Sequence, residues 1–246
     1  MSHYSRATIY CSIRSLRLFL SFLHDKNITA TDLSLVVPKN SYRSCEKLPS
    51  LYTKDEVEKL LESVDRKSPM GKRDYAILLT AARLGLRASD LSGLTFSEIK
   101  WTENRISLVQ HKTKKRIELP LLNDVGAAII DYLKYGRPKS DSEYVFLRTQ
   151  TPCTRLTAKS MYNISKRYFA IAEIENKEKR KQGAHALRHS LAARLLENKT
   201  PLYVITEIFD HNSLETTQEY IRIDTQTLRQ CALPVPETAF YKGGEV

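Results

Sequence analysis

One break in helical periodicity constrains this chain more than any other feature. From Tyr52 to Leu94, apolar residues recur at three- and four-residue steps through "KDEVEKLLESV", "GKRDYAILLTAARLG" and the shorter "LRASDLSGL", the signature of amphipathic helices. Thr53 followed by Glu56 is a capping-box pattern, and Gly85 stops the second helix. The period then falls to two. "RISLVQ" and "RIELP" alternate apolar and polar residues around the basic turn "HKTKK", which reads as a β-hairpin. Helical spacing returns in "NDVGAAIIDYLKYG", with Asn123 or Asp124 as cap and Gly136 as stop, then in "TAKSMYNISKRYFAIAEI" and "HALRHSLAARLLENK". "TPLYVITEIF" follows with Thr200 as cap and Pro201 at the first helical position. "EYVFL" reads as a short strand. Ser213, or Asn212 with Glu215, caps a last helix carrying Tyr220. Helices that surround one antiparallel hairpin predict a mostly α fold of the α+β class, not β-α-β alternation.

Ahead of this lies a smaller piece. Residues 4–25 read as an amphipathic helix with Ile9, Ile13, Leu16, Leu20 and Leu23 on one stripe, and Thr31 and Asp32 cap a short turn. Residues 1–44 hold six Lys/Arg against two Asp/Glu and are too few for a core of their own. The expected organisation is a partial N-terminal helical segment over 1–44, a linker over 45–51, a main domain over 52–224 and a tail over 225–246. In 246 residues the net charge is +11, which favours a polyanionic partner, nucleic acid first. No polybasic amphipathic helix or lipidation motif favours a membrane. The four cysteines, at 11, 45, 153 and 231, have neither C-x-x-C nor zinc-finger spacing, so a reducing, cytoplasmic setting is expected. Neither G-x-G-x-x-G nor a Walker A sequence occurs.

Four places carry residues suited to phosphate chemistry. His185 and Arg188 in "HALRH" stand at i and i+3 on a helix start and share a face. Arg supplies a permanently charged fork, and His exchanges a proton near neutrality. Arg87 follows a glycine-terminated helix, where it can point into a cleft with Asp90 to brace it. Lys112, Lys114, Lys115 and Arg116 crowd the hairpin turn. His211 precedes Tyr220 by nine residues. A tyrosine is a poor nucleophile while its hydroxyl stays protonated, so it needs cations or a base nearby. Taken singly, each place has an ordinary reading that is favoured: solvated polar residues on a capped helix for His185 and Arg188, a surface ion pair for Arg87, a solvated basic turn for the lysines, and an interface or core residue for Tyr220.

Their order along the chain resembles the tyrosine recombinase, or phage integrase, family over roughly residues 51–224. The strongest stretch is "HALRHSLAARLLENKTPLYVITEIFDHNSLETTQEYIRI". The resemblance implies catalytic roles for Arg87, Lys112, His185, Arg188, His211 and the nucleophile Tyr220. Lys112 lies eight residues before Pro120, and Lys114 is the alternative choice. It also implies a helical catalytic domain with a small antiparallel sheet, preceded by a partial core-binding segment. DNA contacts are expected from Arg14, Arg17, Arg43, Lys114, Lys115 and Arg116. Double-stranded DNA is the implied partner, with four protomers on two DNA sites and a monomer free in solution; no cofactor and no metal are implied. The implied activity is site-specific DNA breakage and rejoining through a 3′-phosphotyrosine link, in the service of a mobile element. A catalytically weak DNA-binding regulator on the same fold, or a topoisomerase-like relaxing enzyme, are the other readings. Two departures stand out. Asp210 replaces the family's usual glycine, and the N-terminal piece is shorter than a full core-binding domain, as in a shortened form or one lacking sequence ahead of Met1.

Overall fold

The computed structural model describes residues 4, 6–39, 50–175 and 180–209. The chain divides into two compact units, Met1–Leu48 and Pro49–Val246. In the first, α1 (Arg6–Asp25) is followed by a 3-10 turn at Leu33–Leu35. Asp32, not Thr31, caps that turn by accepting from the Ser34 amide.

The second unit begins with α2 (Lys54–Glu62), where Thr53 and Glu56 complete both halves of the expected capping box. The central helix is α3 (Pro69–Leu84), packed against α5 (Asn123–Tyr135) and α7 (Ala184–Glu197). It starts earlier than the apolar pattern because Ser68 caps the Gly71 amide and Pro69 occupies the first turn, where a missing N–H costs nothing. Ala76, Ile77, Leu78 and Leu79 are buried in succession, so α3 is covered on more than one side. Asp74 on this helix is fully buried. Its carboxylate accepts from Arg73 at 2.7 Å and from the Tyr168 hydroxyl at 3.2 Å, with Arg167 alongside. Without such partners a buried carboxylate would be strongly destabilising.

After α4 (Ala88–Gly93) the expected hairpin forms from β2 (Arg105–Val109) and β3 (Arg116–Pro120), in a register that pairs Ile106 with Leu119 and Val109 with Arg116. A two-residue strand, β1 (Ile99–Lys100), completes an antiparallel sheet in the order β1-β2-β3. It is too short to leave a periodic signal. α6 (Ala158–Ile171) and α8 (Leu202–Phe209) finish the described fold. The mostly helical α+β expectation is met.

Three local expectations are corrected, while the stop of α5 at Gly136 is met. "EYVFL" is not a strand: it makes only isolated bridges, and the Val145 amide donates to Leu94 while the Arg148 amide donates to Thr154. Its apolar run reflects complete burial of Val145, Phe146 and Leu147 instead. The cap of α5 is Leu122, and Gly136 ends that helix with φ −128, outside the left-handed region. Pro201 is the residue whose carbonyl takes the first bonds of α8, from Val204 and Ile205, so it precedes the first helical position.

Candidate active site

The site is built where α3 ends. Gly85 has φ 63, a left-handed conformation in which a side chain is strained. A Cβ there would also lie 2.5 Å from a ring carbon of Phe209. This turn throws Arg87 out as the N-cap of α4, half-buried. Its guanidinium donates to Oε1 of Gln110. Gln110 continues the inward face of β2 after Ile106 and Leu108, and it is only 1% exposed. The same oxygen accepts from the Thr113 hydroxyl at 2.9 Å. Gln110 also closes the turn with its backbone: its N–H donates to the Lys115 carbonyl and its carbonyl accepts from the Lys114 amide. Lys114 adopts φ 59 to allow this. Asp90 does not brace Arg87 as expected. Its carboxylate accepts the His111 amide at 2.8 Å, and so it fastens α4 to the turn that carries Lys112.

The other half of the site comes from α7, whose first turns hold His185 and Arg188. Arg188 is 3% exposed. It donates at 2.8 Å to the Gly85 carbonyl and also to the Phe209 carbonyl, with its plane 4.6 Å from the Phe209 ring. One guanidinium thus joins the carbonyl of the residue that ends α3 to that of the last described residue of α8. Phe209 is fully buried in a small second core with Ala192 and Ile205.

His185 reports how closely these pieces approach. Its ring packs nearly perpendicular to that of His189, 4.2 Å between centroids. Although the residue keeps an exposed edge, crowding by the chain is the first cause that lowers its pKa, to about 4. Arg188, Lys181, Arg87 and Lys112 lower it further by charge repulsion. Arg87, Lys112, His185 and Arg188, drawn from three separate segments, are therefore brought together. Such a cation-ringed, neutral imidazole suits an anion.

Two further neighbours, Gln110 and Lys181, join the predicted residues. Gln110 had a legible signal, a polar residue on the inward side of an alternating strand. Lys181 had none. Its segment is tied to the start of the unit: the Lys181 amide donates to Ser50 Oγ at 2.7 Å, and the Tyr52 hydroxyl donates to the Lys181 carbonyl at 3.1 Å. The Tyr52 amide donates to Ser190 Oγ on α7 at 2.8 Å.

Of the DNA-contact candidates, Lys114 and Lys115 are exposed in the turn, and Arg116 donates through Nε to Ser107 at 3.0 Å. Arg14 and Arg17 lie on α1 in the first unit, where they line a surface cleft with Tyr10 and Ser34. Arg43, Asp210, His211 and Tyr220 lie outside the described residues. Among the described residues no helix is long and apolar enough to cross a membrane.

Comparison with known proteins agrees with the fold. An integrase/recombinase-named protein of Sinorhizobium fredii, y4rA, is 38% identical over 226 residues, covering 92% of this chain and 54% of that protein. The tyrosine recombinase XerD of Vibrio vulnificus is 31% identical over 232 residues, covering 92% of this chain and 72% of its own. The crystal structure of XerA recombinase superposes with a TM-score of 0.62 at 22% identity, covering 94% of this chain and 78% of that one; this is a likeness of fold. The chain spans about half the length of y4rA and of a second relative from the same organism. Residues 51–227 match the model of the phage integrase family, and the chain belongs to that family.

Proposed function

We propose that this protein breaks and rejoins double-stranded DNA at specific sites through a 3′-phosphotyrosine intermediate, in the service of a mobile genetic element. The observation that carries the reading is the crowding of Arg188, Lys181, Arg87 and Lys112 about the depressed imidazole of His185. Four cations cluster there only at a cost in repulsion, and a phosphodiester relieves it.

In this reading the Tyr220 oxygen attacks the phosphorus of one strand while the bond to the 5′-oxygen breaks. The phenolic proton passes to the neutral His185 ring, and the Lys112 ammonium gives a proton to the departing 5′-oxygen. Charge gathering on the non-bridging oxygens is met by Arg87 and Arg188, with His211 donating a further hydrogen bond. A 5′-hydroxyl from another strand reverses the step and reseals the backbone. The energy of the phosphoester is conserved in the tyrosyl link, so no nucleotide is consumed. The basic turn of Lys114, Lys115 and Arg116 and the arginines of α1, with Arg43, would grip the flanking duplex. Four protomers acting on two sites, in the cytoplasm, complete the proposal.

The test is a nicked suicide duplex, whose small fragment diffuses away after cleavage and traps the covalent adduct. Wild type is expected to give an SDS-resistant adduct, and Tyr220→Phe none. An adduct that persists in Tyr220→Phe overturns the nucleophile. Retained duplex binding with no adduct in wild type overturns recombination in favour of a regulator. Plasmid relaxation without exchange between two sites points to a topoisomerase-like enzyme. In the same assay Asp210→Gly is expected to keep or raise cleavage, because it restores the family's usual residue and removes a negative charge next in sequence to Phe209, whose carbonyl holds Arg188.

A further inference from the structure

We infer that Gln110 is a positioning residue for the reaction: it fixes the guanidinium of Arg87 and ties it to the hairpin turn that carries Lys112. The inference rests on the recombinase reading above and goes beyond it, to a residue that touches neither DNA nor the reacting atoms.

A glutamine is an expensive choice where it stands. It is 1% exposed and follows Ile106 and Leu108 on the face of β2 turned to the core. Its Nε2 is buried and has no hydrogen-bond partner among the described residues, so its desolvation goes uncompensated. An apolar residue would avoid that loss, so its Oε1 must supply something in return. That oxygen accepts from Arg87, at the start of α4, and from the Thr113 hydroxyl, in the hairpin turn. The amide orientation follows from chemistry, because a guanidinium has only donors and requires an oxygen opposite it. The backbone of the same residue closes the turn through Lys115 and Lys114. Arg87 and the turn therefore share one anchor. When Oε1 is removed, Arg87 regains rotamer freedom beside three other cations, and repulsion from them drives it away from the phosphate position.

The experiment is single-turnover cleavage of the suicide duplex by Gln110→Leu, Gln110→Glu and the pair combined with Arg87→Ala, with unfolding by urea measured alongside. Each is run on an ordinary substrate and on one whose leaving 5′-oxygen is replaced by sulfur, which needs no proton from Lys112. Gln110→Leu is expected to cut about 30-fold more slowly on both substrates, with duplex affinity within about twofold. Gln110→Glu keeps an acceptor oxygen for Arg87 and is expected to recover most of the rate. In the Arg87→Ala background, Gln110→Leu should cost nothing more. Cleavage by Gln110→Leu at the wild-type rate overturns the inference and leaves the recombinase reading intact. So does a defect that vanishes with the sulfur substrate, which would assign Gln110 to Lys112 alone. If Gln110→Leu does not fold, Gln110→Glu decides, since a rate as low as that of Arg87→Ala overturns the inference. A wild type that forms no adduct sinks the recombinase reading and this inference with it.

Discussion

Arg87 and Arg188 are two arginines of one site held in opposite ways. Arg87 is half-buried and tethered by a side chain, Gln110 Oε1. Arg188 is buried and tethered by backbone, the carbonyls of Gly85 and Phe209. A side-chain tether can be altered by one substitution, and it moves with the hairpin turn. A backbone tether is fixed by the fold, and the fold in turn leans on it. The first arginine is therefore tunable and contributes little to stability, while the second is a structural cross-link that carries charge.

The largest break in this contrast is expected from Gly85→Ala. The new methyl would need a left-handed backbone and would meet the Phe209 ring at 2.5 Å, which should cost about 3 kcal/mol. Urea unfolding measures it, and a loss below that of an ordinary surface change would mean that α8 gives way freely. Next, Arg188→Met should lower stability by about 2 kcal/mol because it removes the buried bonds to the Gly85 and Phe209 carbonyls. The matched Arg87→Met should cost about 0.5 kcal/mol or less, as Thr113 still serves Gln110. Equal losses from the two methionine variants would erase the distinction. Asp90→Ala should then cost about 1.5 kcal/mol by freeing the His111 amide, and that amide should exchange with solvent faster while those of α7 do not. A separate effect concerns pH. The His185 pKa lies near 4 in the folded chain, below its ordinary value, so the folded state binds fewer protons there. Its contribution to stability is whole above about pH 6.5 and is lost as pH falls toward 4. His185→Asn should flatten that slope. In NMR titrations a bound duplex should move the His185 midpoint upward, since phosphate offsets Arg188, Lys181, Arg87 and Lys112.

Much of this was legible because it depends on neighbours in sequence. The capping box at Thr53, the stop at Gly85 and the alternation of Ile106, Leu108 and Leu119 are local patterns, and each appears where expected. The misreadings arise where tertiary bonds replace local ones. Val145 to Leu147 look like a strand, yet their backbone groups find partners singly, in Leu94, Leu156 and the Tyr132 hydroxyl. The site follows the same rule. Arg87, Lys112, His185 and Arg188 were identified by type and order, whereas the ties that hold them span long separations. Closeness in sequence pairs Asp90 with Arg87; the hairpin folding back claims its carboxylate for the His111 amide. The partner that Arg87 does have lies 23 residues away.

The tether of Arg188 has a thermodynamic consequence. A free arginine side chain surrenders about 2 kcal/mol of rotational entropy when it is immobilised on a ligand. Here the planar fork is oriented by Gly85 and Phe209 before any anion arrives. An anion that meets it finds a preorganised charge whose motions were quenched when the chain folded, so binding on that side is relieved of the ordering penalty.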